Sequence, residues 1–343
     1  MKKLLNTLYV TTQGAYLAKD GECVAVRVDK EVKLRVPIHT LGGVVCFGQV
    51  SCSPFLMGFA AERGLGFSFL TENGRFLARV MGPVSGNVLL RREQYRRADN
   101  LDASAGVARS IITAKVINAR RVLQRTLRDH GGKIDGVALE KEIVHLQDCL
   151  HRLQQPVGLD FARGIEGEAA NGYFGVFDHL ILSPDPEFRF AGRSRRPPLD
   201  RINCLLSFIY TLLAHDVRSA LECVGLDSEV GFLHRDRPGR HGLALDVMEE
   251  FRAFVADRLA LSLINLGQIK KDDFEILETG AVKLTDDARK TLLIAYQKRK
   301  QDEIMHPFLN ERISMGLVFH VQAMLMSRWL RGDLDGYPPF VWK

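Results

Sequence analysis

The sequence predicts an α+β chain, with a small β-rich N-terminal domain (strands with one helix) followed by a larger all-α C-terminal domain. Three observations carry this. The first ninety or so residues hold short β-branched and aromatic runs separated by glycines and turn-forming pairs. From about Arg91 onward, apolar residues recur at the three-to-four spacing of helices. The length, 343 residues, suits about two domains at a typical ~150 residues each.

The elements follow in order. Residues 7–11, 15–18, 23–28 and 33–38 read as strands, with Gly21, Asp29-Lys30 and Gly42-Gly43 as punctuation. Ser53 is a ready N-cap and Pro54 a ready first helical residue, so a helix is expected from there to Arg63-Gly64. Strands are expected at 66–70 and 75–80, joined by the hairpin signal Asn73-Gly74. The arginines 91, 92, 96 and 97 crowd near the expected boundary, which divides the chain into 1–92 and 93–343. Beyond it, Ile111, Ile112, Val116, Ile117, Val122 and Leu123 mark a helix over 104–129 that stops at Gly131-Gly132. Further helices are expected near 137–154, 164–182, 200–224, 242–264, 284–300 and 308–331.

Composition narrows the class. An apolar fraction of 46% and a charged fraction of 26% are ordinary for a globular protein and exclude disordered and collagen-like chains. No apolar run approaches the ~18 residues of a membrane span, and the basic start lacks the apolar stretch of a signal peptide. The six cysteines contain no C-x-x-C pair, which excludes zinc-finger and redox-motif spacing; free, mostly buried thiols in a reducing cytoplasm are expected. The net charge of +6 permits a polyanionic partner.

The most informative stretch runs from 231 to 252. Pro238-Gly239 makes its middle a loop, and helical periodicity begins at Leu243. Asp246, Glu249 and Glu250 stand at i, i+3 and i+4, one face of a helix. Three carboxylates there repel one another unless exposed, protonated or bound to a cation. His234 precedes them in a loop able to fold over that face. A solvated acidic face is one reading; the apolar neighbours Leu243, Val247, Met248 and Phe251 favour burial with a compensating cation. Upstream, Glu166 sits near a helix start among Gly164, Gly167, Ala169 and Ala170, small residues that allow close approach. Its plainer reading is a first-turn glutamate complementing the helix dipole. Together one Glu, one His and a further acid form a mixed N/O donor set suited to Mg²⁺ or, with the imidazole, Mn²⁺.

Arginines outnumber lysines in most basic groups, which suits phosphate recognition. Arg120, Arg121, Arg125 and Arg128 share one side of a helix. Arg195 and Arg196 precede two prolines. Arg235, Arg237 and Arg240 flank the candidate ligands, where a phosphodiester would sit. Each group also reads as a solvated face. No P-loop, dinucleotide fingerprint, nucleophile elbow or H-E-x-x-H is present. Asn203, Ser207 and Tyr210 lie at helical spacing and read as a buried hydrogen-bond network.

Three motifs in order then resemble one family. They are Gly164-Ile165-Glu166-Gly167-Glu168-Ala169-Ala170, Gly231-Phe232-Leu233-His234, and the run from Leu243 through Asp246, Glu249 and Glu250 to Arg252. They resemble the CRISPR-associated integrase/endonuclease of the adaptation (spacer acquisition) module, and the likeness covers nearly the whole chain. The opening from Leu5 to Val10 and the segment from Pro83 to Asn87 resemble the type I-C branch. The resemblance implies a divalent ion, Mg²⁺ or Mn²⁺, on Glu166, His234 and Glu249. Asp246 is implied as a ligand or an orienting residue. Many relatives carry Asp where Glu249 stands. The resemblance also implies homodimers through the β-rich domains, a heterohexamer with a small ferredoxin-like adaptation partner, and contact with an iron–sulfur CRISPR exonuclease.

The implied reaction joins a 3′-hydroxyl of a short DNA duplex to the CRISPR repeat by direct phosphoryl transfer. His234 would serve as ligand, general base or proton donor. Arg120, Arg121, Arg125, Arg195, Arg196, Arg235, Arg237 and Arg240 would bind DNA phosphates. Two other classes explain part of the pattern. A non-catalytic DNA-binding scaffold of the same complex needs no intact ligand set. A metal hydrolase acting on a small phosphate ester leaves the arginine clusters without a use.

Overall fold

The computed structural model describes residues 6–72, 76–80 and 87–342. The described residues fall into two compact units. One holds the residues up to 86 together with Leu292–Gln301; the other holds Asn87–Thr291 and Asp302–Lys343.

The first unit is built on two four-stranded sheets. Its strands are β1 (Asn6–Val10), β2 (Tyr16–Asp20), β3 (Cys23–Val28), β4 (Glu31–Pro37), β5 (Leu41–Phe47), β6 (Ser51–Cys52), β7 (Gly66–Leu70) and β8 (Phe76–Val80). One sheet runs β1-β5-β7-β8, with β1, β5 and β7 parallel and β8 antiparallel to β7. The other runs β4-β3-β2-β6. Helix α1 (Pro54–Glu62) begins as expected: the Ser53 hydroxyl accepts from the Leu56 amide at 3.2 Å, with Pro54 at the first turn. Val24, Val26, Val44, Leu56, Phe59 and Phe67 share one core.

Strand β5 corrects the expectation that Gly42-Gly43 is punctuation. These glycines lie in the strand, between β1 and β7, and a Cβ at Gly43 would stand 3.4 Å from the Gly66 carbonyl. The following Val44, Val45, Cys46 and Phe47 are all buried, so the run lacks the alternation that marks a half-exposed strand. The Asn73-Gly74 turn and the segment 83–86 lie outside the described residues.

The second unit is mainly helical: α2 (Val88–Asp99), α3 (Leu101–His130), α4 (Gly136–Gln154), α5 (Leu159–Gly175), α6 (Arg201–Cys223), α7 (Gly242–Glu249) and α8 (Arg258–Asn265), then α9 (Asp286–Gln301), which the units share, and α10 (Met315–Leu330). It also carries two short antiparallel ribbons, β9 (Phe274–Ile276) with β10 (Val282–Leu284) and β11 (Glu303–Met305) with β12 (Arg312–Ser314). The α+β class therefore holds, but this part is not purely helical, and the helix expected from 308 begins at Met315.

Residues 87–92 belong with the helices. The Asn87 side chain donates to the Val224 carbonyl at 3.0 Å, and the buried Gln94 donates to the carbonyls of Asp227 and Val230. Helix α3 starts at Leu101, earlier than expected, because Asn100 Oδ1 caps the amides of Asp102 and Ala103. Helix α5 ends at Gly175, short of the expected 182. Helix α6 has the length and hydropathy of a membrane span. Leu205, Leu206, Ile209, Leu213 and Leu221 are nevertheless buried within the unit, as in a core helix.

Candidate active site

The expected helix over 242–264 is broken into parts, and the break shapes the site. Helix α7 stops at Glu249, a turn follows, residues Arg252–Asp257 form a π-helical stretch, and α8 resumes at Arg258. Single-turn π segments frequently mark functional sites because they re-aim side chains. Glu249 and Glu250 are adjacent, so they point about 100° apart around the helix and meet different partners, and the three acids do not gather at one point. Glu250 is buried against the C-terminal tail, accepting from Tyr337 Oη at 2.7 Å, the Phe340 amide at 2.7 Å and Gln322 Nε2 at 3.0 Å. Burial pushes its carboxyl up to about 8 despite these donors.

Asp246 turns toward the preceding loop. Its Oδ2 accepts from the amides of Phe232 and Leu233 at 2.6 and 2.9 Å, and its Oδ1 from the His234 amide at 2.9 Å. His234 Nδ1 lies 2.6 Å from the same Oδ1. An ionised carboxylate only accepts, so Nδ1 carries a proton, and in the neutral ring Nε2 keeps its lone pair. Asp246 is thus the residue that folds the loop and sets the imidazole.

Two glycines permit this fold-back. A Cβ at Gly231 would stand 2.7 Å from Asp246 Oδ2 and from the Gly242 carbonyl carbon. One at Gly242 would stand 2.6 Å from the Glu229 carbonyl oxygen.

Glu166, on α5, and Glu249, at the end of α7, meet through α3. The Lys115 ammonium pairs with Glu166 and lies 2.8 Å from Glu249 Oε2. Arg252 takes the other oxygen of Glu249 at 2.7 Å. Glu249 is 2% exposed, and burial alone would raise its pKa. Arg252, Lys115 and His234 together overcome this and hold its carboxyl below the usual range. Glu166 and Glu249 are therefore joined through Lys115, and His234, with Asp246 behind its imidazole, bears electrostatically on Glu249.

Sequence reasoning did not pick out Lys115 or give Arg252 a role. Lys115 is a single basic residue among the apolar positions of α3, which is the only signal it leaves. Behind them, the buried Asp257 accepts from Tyr210 Oη at 2.6 Å and Tyr173 Oη at 3.1 Å. Asn203 is buried and donates to the Gly192 carbonyl at 2.7 Å, and Arg193 bonds it while lying over the Tyr210 ring. The Ser207 hydroxyl takes no part in this network and is buried without a hydrogen-bond partner among the described residues.

The arginines separate. Arg240 is half-buried, and its guanidinium is lowered by burial, by Arg237 and also by Arg163 and Arg252, against the pull of Asp246. It faces the site. Arg235 is exposed and pairs with Asp160 at 3.0 Å, which also holds Arg163. Arg163 in turn donates to the Leu233 carbonyl at 2.7 Å, tying the loop to α5. Arg237, Arg195 and Arg196 are exposed. On α3, Arg125 is exposed, whereas Arg120 and Arg121 are half-buried side by side.

Two carboxylates around one ammonium, beside an oriented imidazole, are the donor types that a hard divalent ion takes. The family model for CRISPR associated protein Cas1 matches residues 8–298. The chain is 61% identical, over the full length of both, to the CRISPR-associated endonuclease Cas1 1 of Chlorobaculum tepidum. It is 36% identical to a CRISPR-associated exonuclease Cas4/endonuclease Cas1 fusion of Geobacter sulfurreducens, over 97% of this chain and 60% of that one. Its fold is similar to that of a casposase bound to integration product, with a TM-score of 0.83 and 21% identity over 97% of this chain and 93% of that one. With the family model spanning most of its length and a relative this close over the whole of it, the chain belongs to the CRISPR-associated Cas1 family.

Proposed function

We propose that this chain is a divalent-metal-dependent DNA endonuclease and integrase of CRISPR adaptation, which joins prespacer 3′-hydroxyl ends to the CRISPR repeat by direct phosphoryl transfer. The observation that carries the reading is the bridging of Glu166 and Glu249 by the Lys115 ammonium, beside an imidazole fixed by Asp246. Family membership and the endonuclease name of its 61% identical relative support it.

Glu166, His234 and Glu249 would hold Mg²⁺ or Mn²⁺. The bound ion supplies Lewis-acid stabilisation of the charge that develops on the transferring phosphoryl group. The chain's own residues do the rest. Asp246 keeps the proton on Nδ1 of His234, so Nε2 presents a lone pair. Lys115 and Arg252 neutralise Glu249 and keep it ionised in a poorly hydrated position, and Lys115 also pairs with Glu166. Arg240 and Arg237 would position a phosphate at the mouth of the site without reading bases. Arg120, Arg121, Arg125, Arg195 and Arg196 would extend the phosphate track. Water in place of the 3′-hydroxyl gives nuclease activity from the same groups.

The partners belong to the same proposal: a homodimer, a small ferredoxin-like adaptation protein, and an iron–sulfur CRISPR exonuclease. The fusion relative from Geobacter, which joins an exonuclease to a Cas1 endonuclease in one chain, supports the last.

The test mixes labelled short duplexes bearing free 3′-hydroxyls with a supercoiled plasmid carrying a CRISPR repeat, in Mn²⁺ or EDTA. Label joined to relaxed plasmid, lost in EDTA and in Glu166→Ala, is the expected result. DNA binding without joining, with both partner proteins present, would make the chain a scaffold.

A further inference from the structure

We propose that His145, Cys149 and Glu168 form a second metal site, specific for a zinc-like cation, that clips α4 to α5. It stands whatever reaction the Glu166–Glu249 site performs. His145 and Cys149 are i and i+4 on α4, so they share a face, and Glu168 comes from α5. The pair has no C-x-x-C signature, because the donor one helical turn from the cysteine is a histidine.

The separations among the three donor atoms carry the argument. Cys149 Sγ lies 3.8 Å from His145 Nε2 and 3.9 Å from Glu168 Oε1, and Nε2 lies 3.0 Å from Oε1. Zinc bonds of about 2.3 Å to sulfur, about 2.0 Å to nitrogen and about 2.0–2.2 Å to oxygen, set at tetrahedral angles, need edges of about 3.5, 3.5 and 3.3 Å. The three donors already stand within a few tenths of an ångström of that triangle.

The surroundings are those of a metal-bound histidine. Glu142 Oε1 lies 3.0 Å from His145 Nδ1, the carboxylate that fixes the ring and leaves Nε2 to the ion. That carboxylate sits where Gly172 has no side chain: a Cβ there would come within 2.2 Å of Glu142 Oε1. Arg152 binds Glu168 through both oxygens, at 3.0 and 2.8 Å, and would keep Oε2 when Oε1 turns to the ion. Cys149 is buried while His145 and Glu168 reach the surface, so solvent can supply a fourth ligand. Binding releases two protons to solvent, the thiol proton and the Nε2 proton that faces Glu168, leaving a thiolate and a neutral imidazole bonded to the metal. Thiolate and imidazole donors favour Zn²⁺ or Co²⁺ over Mg²⁺ and Mn²⁺, so the two sites would sort their ions.

The experiment titrates the chelator-treated full chain with Co²⁺ and follows the near-ultraviolet thiolate-to-cobalt charge-transfer band. A band that saturates at one equivalent and is erased by Zn²⁺, but not by tenfold Mn²⁺, is expected. Cys149→Ser should lose it, Glu168→Gln, at an exposed position, should weaken Co²⁺ binding tenfold or more, and Glu166→Gln should keep the band. Circular dichroism checks the fold of each variant. Absence of the band in the wild type, its survival in Cys149→Ser, or its displacement by Mn²⁺ overturns the proposal.

Discussion

Lys115 holds its ammonium 2.8 Å from Glu249 Oε2 while also pairing with Glu166, so one side chain of α3 joins the acids of α5 and α7. Removing it leaves a nearly fully buried carboxylate whose remaining ion pair among the described residues is with Arg252. Lys115→Met should cost about 3 kcal/mol in EDTA, the usual penalty for breaking a buried ion pair from one side. A divalent ion should then restore more stability to the variant than to the wild type, because it meets no competing ammonium. Urea denaturation in EDTA and in Mn²⁺ measures both. Equal stability of the two proteins in EDTA would show that the lysine does not neutralise the acids.

Asp246 presents a different expectation, because it acts through other groups. Asp246→Ala orphans three backbone amides and the His234 ring N–H at a position with no solvent access. A loss of about 2–4 kcal/mol follows from unsatisfied buried donors at about 1–3 kcal/mol each, partly relieved by relaxation. Because His234 depends on it, Asp246→Ala combined with His234→Ala should impair strand transfer no more than Asp246→Ala alone. Additive defects in that double mutant would mean that the two residues act separately.

Gly231→Ala tests the crossing of loop and helix. The added Cβ meets backbone and Asp246 Oδ2 at 2.7 Å, atoms that have no flexible end to yield. A stability loss of about 2 kcal/mol or more, in the range of core overpacking, should come with loss of strand transfer. Gly239→Ala is the control. It sits on the same loop with open space around it, and its positive φ of 73° adds only a backbone cost of about 1–2 kcal/mol.

The pH dependence turns on Glu250. Its carboxyl is pushed from an ordinary 4.5 up to about 8 by burial, so between those values the folded chain holds a proton that the unfolded chain has released. Stability should therefore fall as pH rises through that window, by up to about 1.4 kcal/mol per pH unit at its steepest. Asp257, pushed up to about 6 by burial, adds to the fall below pH 6. Glu250→Gln, which carries no charge, should flatten the part of the curve between pH 6 and 8. Chemical denaturation at a series of pH values reads this directly; an unchanged slope in the variant would place the titration elsewhere.

Much of this arrangement was legible beforehand, and the reasons for the rest are local. Ser53 and Pro54 announce α1 because capping depends on adjacent residues only. Glu166, His234 and Glu249 were nameable because their neighbours repeat a family pattern. The separation of Glu250 was hidden, since i+3 and i+4 both neighbour Asp246 on a helix while standing about 100° from each other, and only the packing of the C-terminal tail on Glu250 decides which way it goes. Lys115 was hidden for another reason: its partners lie 51 and 134 positions away along the chain, and nothing near it in sequence points to them. Strand β5 was hidden because a central strand buried on both faces loses the alternation that marks an edge.

The arginines should divide by how each is held. An exposed guanidinium that meets one phosphate releases about one counterion, lowering the slope of log K against log salt by about 0.9 when removed. Arg237→Ala, Arg195→Ala and Arg196→Ala should each do this and leave urea stability within about 0.5 kcal/mol. Arg235→Ala should behave differently. Its partner Asp160 also holds Arg163, which carries the Leu233 carbonyl, so part of the loss will be in the loop and not in charge. Arg240→Ala should change strand transfer more than affinity, because it faces Asp246 and Arg252 instead of open solvent. Duplex binding by fluorescence anisotropy from low to high salt, beside strand-transfer rates on the same variants, separates the three behaviours. A single common slope and a common rate loss across all five variants would mean that the basic residues form one undifferentiated patch.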